Sequence, residues 1–165
     1  MNGVGASLSP NSLPFDAILS APFGALGVRM QGVQLAGLEF LEDAMPCNAA
    51  AVDSVAAQLD AWFLDPGFCF SLPLALHGTP FRRRVWDALM QIPPGQTLTY
   101  GALAQQLATS PRALGQALGD NPIPIIVPCH RVLGANGLGG FMHGAADFPL
   151  RVKRWLLEHE GYCAA

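Results

Sequence analysis

The sequence predicts an α+β fold in two parts. A small antiparallel sheet with one helix occupies residues 14–77. A mostly helical domain, containing a helix-turn-helix, winged-helix-like unit, occupies residues 78–165. Three observations predict this. Between Phe15 and Leu41, short apolar runs are cut by glycine, as in a meander. Three later segments open on a Ser or Thr placed to cap a helix, two of them with proline next. Finally, Asn121-Pro122-Ile123-Pro124-Ile125-Ile126-Val127-Pro128 is apolar yet too rich in proline for a regular helix or a central strand, so it reads as buried irregular backbone.

In chain order, residues 1–13 are small, polar and rich in Gly, Ser and Pro, and read as disordered. Residues 15–19, 25–30 and 34–41 read as strands, turned around Pro22 and Gly24 and at Gly32. Asn48 is placed to cap a helix over residues 49–64, with Val52, Val55, Ala56, Leu59 and Phe63 on one face. Asp65-Pro66-Gly67 breaks it, and residues 68–76 are extended, with Pro73 against a central strand. Gly78 marks the boundary. Thr79 and Pro80 open a helix to about residue 91, burying Phe81, Val85, Trp86 and Leu89. Thr99 caps a short helix over 100–107, and Ser110-Pro111 opens another to Gly119. Two short helices so joined read as a helix-turn-helix, although any αα-hairpin has this pattern. The glycine-dense stretch 133–144 reads as a loop or short hairpin around Asn136-Gly137. A last helix covers 148–160, with Val152, Trp155, Leu156 and His159 on one face and Gly161 as its stop.

Composition narrows the function. Residues are 51% hydrophobic and 13% charged, which argues against disorder. Cys47, Cys69, Cys129 and Cys163 form no paired CxxC motif, so neither a disulfide framework nor a zinc ribbon is expected. Reduced thiols imply a cytoplasmic protein. No Lys or Arg precedes Arg29, so no signal-peptide basic region is expected, and no apolar run approaches the ~18 residues of a membrane span. The net charge of −3 is unevenly spread. Residues 1–77 carry one basic and seven acidic side chains, residues 78–165 eight basic and five acidic, so a polyanion would meet the second part. Arg82, Arg83 and Arg84 sit at a helix start, where cations oppose the helix dipole; they are either a solvated face or phosphate contacts.

The buried stretch ends on Cys129-His130-Arg131-Val132. A lone free cysteine is usually a small buried hydrophobe. Neighbouring cationic or donor groups favour the thiolate, the nucleophilic form. Adjacent side chains on a helix do not face one another, so a Cys129–His130 contact needs a bent backbone or a bridging water.

Pro128-Cys129-His130-Arg131-Val132 resembles the signature of the O6-alkylguanine-DNA alkyltransferases, the methylated-DNA–protein-cysteine methyltransferases. The resemblance extends over roughly half the chain, through Gly78-Thr79-Pro80-Phe81, Val85-Trp86, Ile92-Pro93, Tyr100, Arg112-Ala113-Leu114-Gly115, Asn121-Pro122, Trp155-Leu156-Leu157 and His159-Glu160-Gly161. It implies that Cys129 takes the alkyl group from guanine O6 and keeps it, so each molecule reacts once; O4-alkylthymine is a further candidate substrate. His130 would relay the thiol proton through water to Glu160. Arg112, with Ala113 beside it on the recognition helix, would fill the space left by the flipped base. Tyr100 would crowd the phosphate of that nucleotide and protonate the leaving guanine. Asn121 would tie the recognition unit to the active-site turn, and Arg131 would be structural. Val132, Phe141 and Met142 would line the guanine pocket. The implied partner is duplex DNA carrying O6-alkylguanine, met by a monomer that can bind cooperatively. No cofactor is implied, and Cys47, Cys69 and His77 make no metal-ligand set.

The chain departs from the family pattern after the hairpin. The usual Gly-Tyr-x-Gly-Gly is here Gly140-Phe141-Met142-His143-Gly144, and Ala145-Ala146-Asp147-Phe148-Pro149 lengthens the way to Trp155. This segment would set which alkyl groups fit, with His143 read as idle. Two other functions compete. A non-reactive binder of alkylated bases would signal damage, but such relatives lack the acceptor cysteine. A Cys-His hydrolase would need an oxyanion hole and turnover.

Overall fold

The computed structural model describes residues 15–144 and 146–162. The disorder expected for residues 1–13 lies outside them, as does Cys163. Strands β1 (Ala17–Ala21), β2 (Gly24–Gln31) and β3 (Gln34–Leu41) form an antiparallel sheet in the order β1-β2-β3. Glycine makes both turns possible: Gly24 has φ 140° and Gly32 φ 60°. The outer edge of β3 is covered. Leu35 N–H donates to Pro73 O and Ala75 N–H to Leu35 O, both at 2.8 Å, while Leu38 N–H donates to Pro122 O at 2.9 Å. That last bond joins the sheet directly to the proline-rich stretch.

A 3-10 turn, Ala50–Val52, leads into α1 (Asp53–Leu64). The helix thus begins later than the expected residue 49. Asn48 does not cap it; its Oδ1 accepts only from the adjacent Ala49 N–H, at 3.0 Å. Trp62, rather than Phe63, is the fully buried aromatic of α1.

The caps in the second part form as expected. Thr79 Oγ1 accepts from Arg82 N–H at the start of α2 (Pro80–Leu89). Thr99 Oγ1 accepts from Ala102 N–H at the start of α3 (residues Tyr100–Gln106). Ser110 Oγ accepts from Ala113 N–H at the start of α4 (Pro111–Gly119). Trp86 Nε1–H donates to Ala117 O at 2.9 Å, locking α2 across α4. One pairing was absent from the sequence reading. The two-residue strand β4 (Leu98–Thr99) runs parallel to β5 (Val132–Leu133), which fixes the hairpin beside α3.

The last helix, α5 (Asp147–His159), ends at Gly161 with φ 86°. It joins the two parts of the core. Trp155 packs edge-on against Phe23 and Phe63, and His159 stacks on Trp155 while its Nε2 meets Trp62 O at 2.8 Å. The neighbouring face carries Val152, Lys153, Leu156 and Leu157, all buried. No helix among the described residues is long and apolar enough to cross a membrane.

Candidate active site

Residues 123–127 are largely buried, as their composition predicts, with Ile126 half-buried. Ile123 and Val127 are fully buried and Ile125 is 2% exposed. Ile125 holds φ 75°, a left-handed conformation that a β-branched side chain strongly resists. Asn121 fixes this turn from inside. Its Nδ2–H donates to Val127 O at 2.7 Å, and its Oδ1 accepts from Ile123 N–H at 3.0 Å. The chain then makes one 3-10 turn over Cys129–Arg131, all three buried. This is the bent backbone that neighbouring Cys and His side chains require.

Behind Cys129, one carboxylate meets two side chains, Arg131 and His130. Glu160 takes a bidentate pair from Arg131, Nε–H to Oε2 at 3.0 Å and Nη2–H to Oε1 at 2.6 Å. Arg131 Nη1–H also donates to Ile92 O. His130 Nε2 lies 2.9 Å from Glu160 Oε1, bent away from ideal hydrogen bonding, and its Nδ1 is buried with no protein partner. Burial would raise the Glu160 pKa, but the His130 and Arg131 contacts outweigh it and hold the carboxyl at about 2. Burial lowers the His130 pKa against the pull of Glu160, so the ring is neutral at rest.

The thiol itself differs from expectation. Burial pushes Cys129 up to about 11, against smaller lowering effects from the Asn121 side chain and the Lys153 charge. The resting group is the thiol, because desolvation of a buried anion exceeds what the nearby donors return. Tyr100 is also shifted upward, by its own burial and then by Cys129. Its hydroxyl donates to Gly140 O at 3.1 Å.

Lys153 is the residue that sequence reasoning missed. It is fully buried, and its Nζ donates to Val132 O, Leu138 O and Gly140 O at 2.8, 2.5 and 3.0 Å. It ties β5 to the hairpin and shares Gly140 O with Tyr100. Burial lowers its pKa to about 8, opposed by Cys129. The signal was present: Lys153 falls among Val152, Leu156 and Leu157 on the apolar stripe, one heptad before Glu160.

A cleft of about 570 Å³ opens over the thiol, lined by Tyr100, Leu118, Cys129, Phe141, Met142 and His143 among others. Phe141 is buried and packs on Phe40; Met142 Sδ is 3.8 Å from Cys129 Sγ. His143 is not idle. Its Nε2 meets Asp120 Oδ1 at 2.7 Å, and its ring lies where a Cβ on Gly119 would stand. Arg82 pairs with the same Asp120 at 2.6 Å, and Arg84 donates to Leu107 O at 3.0 Å, so only Arg83 of the three is uncommitted among the described residues. Arg112 is exposed at the start of α4, with Ala113 half-buried beside it. Val132 is fully buried and its carbonyl already serves Lys153. A larger cleft, about 820 Å³, lies on the far side of the hairpin by Arg154 and Tyr162 and does not reach Cys129.

The family model for the 6-O-methylguanine DNA methyltransferase DNA-binding domain matches residues 80–162, which hold every side chain of this site. The chain belongs to that family. A methylated-DNA–protein-cysteine methyltransferase of Shigella flexneri is 54% identical over 94 residues, 56% of this chain and 53% of that protein. The chain thus spans about half the length of the first such relatives it matches. The crystal structure of the Mycobacterium tuberculosis O6-methylguanine methyltransferase superposes with a TM-score of 0.75 at 37% identity, covering 90% of this chain and 93% of that one. A structure of the Mycobacterium tuberculosis protein in complex with DNA gives a TM-score of 0.71 at 39% identity, covering 87% and 90%. Family membership accounts for the α+β fold and for the helical second part.

Proposed function

We propose that this chain repairs DNA by direct reversal, moving an alkyl group from O6-alkylguanine in duplex DNA onto Cys129 once per molecule. The observation that carries the reading is a buried thiol under a cleft, backed by a neutral His130 that rests against the Glu160–Arg131 pair. The thiol proton passes to His130 Nδ1, directly or through water, and the Glu160 carboxylate stabilises the resulting imidazolium. The thiolate attacks the alkyl carbon in line. The S–C bond forms, the C–O6 bond breaks, and its electron pair stays on guanine, which takes a proton from Tyr100. The thioether has no easy return path, which makes the event single-turnover.

The target base must leave the stack to reach Cys129. The helices α3 and α4 serve as the helix-turn-helix, with the exposed Arg112 entering the vacated space. Asn121 holds the thiol-bearing turn, and Phe141 and Met142 form one wall of the base pocket. Arg83 is the candidate phosphate contact of α2. The free thiols Cys47, Cys69 and Cys129 suit a reducing, cytoplasmic location.

The test is an intact mass after incubation with one equivalent of duplex containing O6-methylguanine, followed by peptide mapping. One methyl on Cys129, with guanine restored and no further turnover, is expected. Cys129→Ala should lose transfer and keep DNA binding. No mass gain with retained preference for the modified duplex would instead make this a damage-binding protein, and continued turnover would make it a hydrolase.

A further inference from the structure

Met142 lines two clefts. Besides the cleft over Cys129, it borders a second of about 530 Å³ between β3 and the start of α5. The second cleft is lined by the apolar Leu38, Phe40, Phe148 and Pro149, with Arg29, Glu39 and Asn121 as its polar members. Phe148 and Pro149 belong to the segment by which this chain departs from the family pattern.

The Met142 backbone is held by its loop, and its side chain is an unbranched, adaptable thioether. Met142 and His143 hold φ 52° and 60°, two successive left-handed residues, and His143 is tied to Asp120. The unbranched thioether can change rotamer without moving that loop. Its sulfur touches the Cys129 sulfur at 3.8 Å. Any group delivered to Cys129 must therefore move the thioether, and a group longer than methyl must go where the thioether was.

We infer that Met142 is a gate between the acceptor cleft and a second cleft that receives the far end of large, mainly apolar O6 substituents, of butyl size or above. The inference rests on Cys129 being the alkyl acceptor. Methyl needs only a small shift of the thioether. A butyl group displaces it and runs on between β3 and Phe148. Gly37 gives a way to block that path without touching the acceptor. It lines the second cleft only, and a Cβ there meets Arg29 Cβ, Pro122 O and Arg29 Cδ at 3.5, 3.6 and 3.7 Å, ordinary contacts.

The experiment compares second-order transfer rates for O6-methylguanine and O6-butylguanine in the same duplex, for wild type, Gly37→Leu and Met142→Ala. Gly37→Leu should lower the butyl-to-methyl ratio by at least about tenfold, the scale on which a pocket rejects extra methylenes. Its methyl rate should remain within about twofold of wild type, which also reports folding. Met142→Ala should raise the same ratio several-fold. Wild-type methyl transfer with a ratio unmoved in both variants overturns the gate alone. A wild-type protein that alkylates Cys129 with neither substrate overturns the acceptor reading and the gate with it.

Discussion

Residues 15–77 and 78–162 contribute to one hydrophobic core, but they bury different chemistry. Among the described residues, every buried polar or charged side chain lies in the second part: Asn121, His130, Arg131, Lys153 and Glu160. The first part buries only apolar groups, such as Leu26, Val28, Leu59 and Trp62. Burying a polar group is unfavourable unless partners meet it, so five in one region mark where structure serves chemistry. The first part packs on the adjoining face of α5, where Phe23, Trp62 and Phe63 meet Trp155 and His159. One helix thus carries the site and its scaffold on adjoining faces.

The sharpest way to break this contrast is Glu160→Ala. Removing one partner of a buried ion pair costs about 3–5 kcal/mol, because it leaves Arg131 desolvated and unpaired. Denaturant unfolding should show that loss, and alkyl transfer should fall as well, since His130 loses its carboxylate. The pH dependence gives a second readout. The Glu160 carboxyl is held at about 2, below its ordinary 4.5, so the unfolded chain binds more protons between those values. Its contribution is complete above pH 4.5 and is lost as pH falls toward 2. Glu160→Ala should flatten stability across that window; an unchanged slope would remove Glu160 from the account.

Trp62→Ala tests the scaffold side. Truncating a buried Trp costs about 3–5 kcal/mol. Transfer by the molecules that remain folded should proceed at the wild-type rate, because Trp62 reaches α5 through His159 and not through the thiol. A slowed reaction in a fully folded sample would show that the two faces of α5 are coupled.

Much of the fold is legible locally. Gly24 and Gly32 turn the meander, Thr79, Thr99 and Ser110 cap their helices, and Gly161 stops the last one, because each of these acts within a few residues of itself. What escaped depends on distant partners. The pairing of β4 with β5 joins two-residue strands with α3 and α4 between them, too short to carry a period. The high pKa of Cys129 is set by tertiary burial, which outweighs the neighbours that sequence displays. His143 looked idle because its partner, Asp120, lies 23 residues away in the chain. The constellation of Cys129, His130 and Glu160 was legible only through family spacing; the Lys153 staple was overlooked because a lysine in a helix usually reads as surface.

Lys153→Met sharpens that last point at intermediate scale. Leaving the buried Val132 O without this donor costs about 1–3 kcal/mol; Leu138 O and Gly140 O are only part-buried, and Gly140 O keeps the Tyr100 hydroxyl, so the total should stay near that range. Transfer should slow as well, since Gly140 O, which positions the Tyr100 hydroxyl, loses its second donor. Lys153→Arg should not rescue the rate, because a planar fork cannot replace a point cation converging on three carbonyls. Rescue by arginine would reduce the role to charge alone.

The smallest effect tests how the basic excess of residues 78–162 is used. Successive helical residues point about 100° apart, so Arg82, Arg83 and Arg84 cannot share one face. The structure divides them accordingly: Arg82 goes to Asp120, Arg84 to Leu107 O, and Arg83 to solvent. If Arg83 meets a phosphate, Arg83→Ala should reduce the salt-dependence slope of DNA binding by about one and leave stability unchanged. Arg82→Ala should do the reverse, costing about 0.2–1 kcal/mol through its half-exposed ion pair while barely moving the slope. Equal slope changes for the two would mean that Arg82 leaves Asp120 when DNA arrives. The Asp120–His143 contact would then be coupled to DNA binding, since both side chains share that one carboxylate.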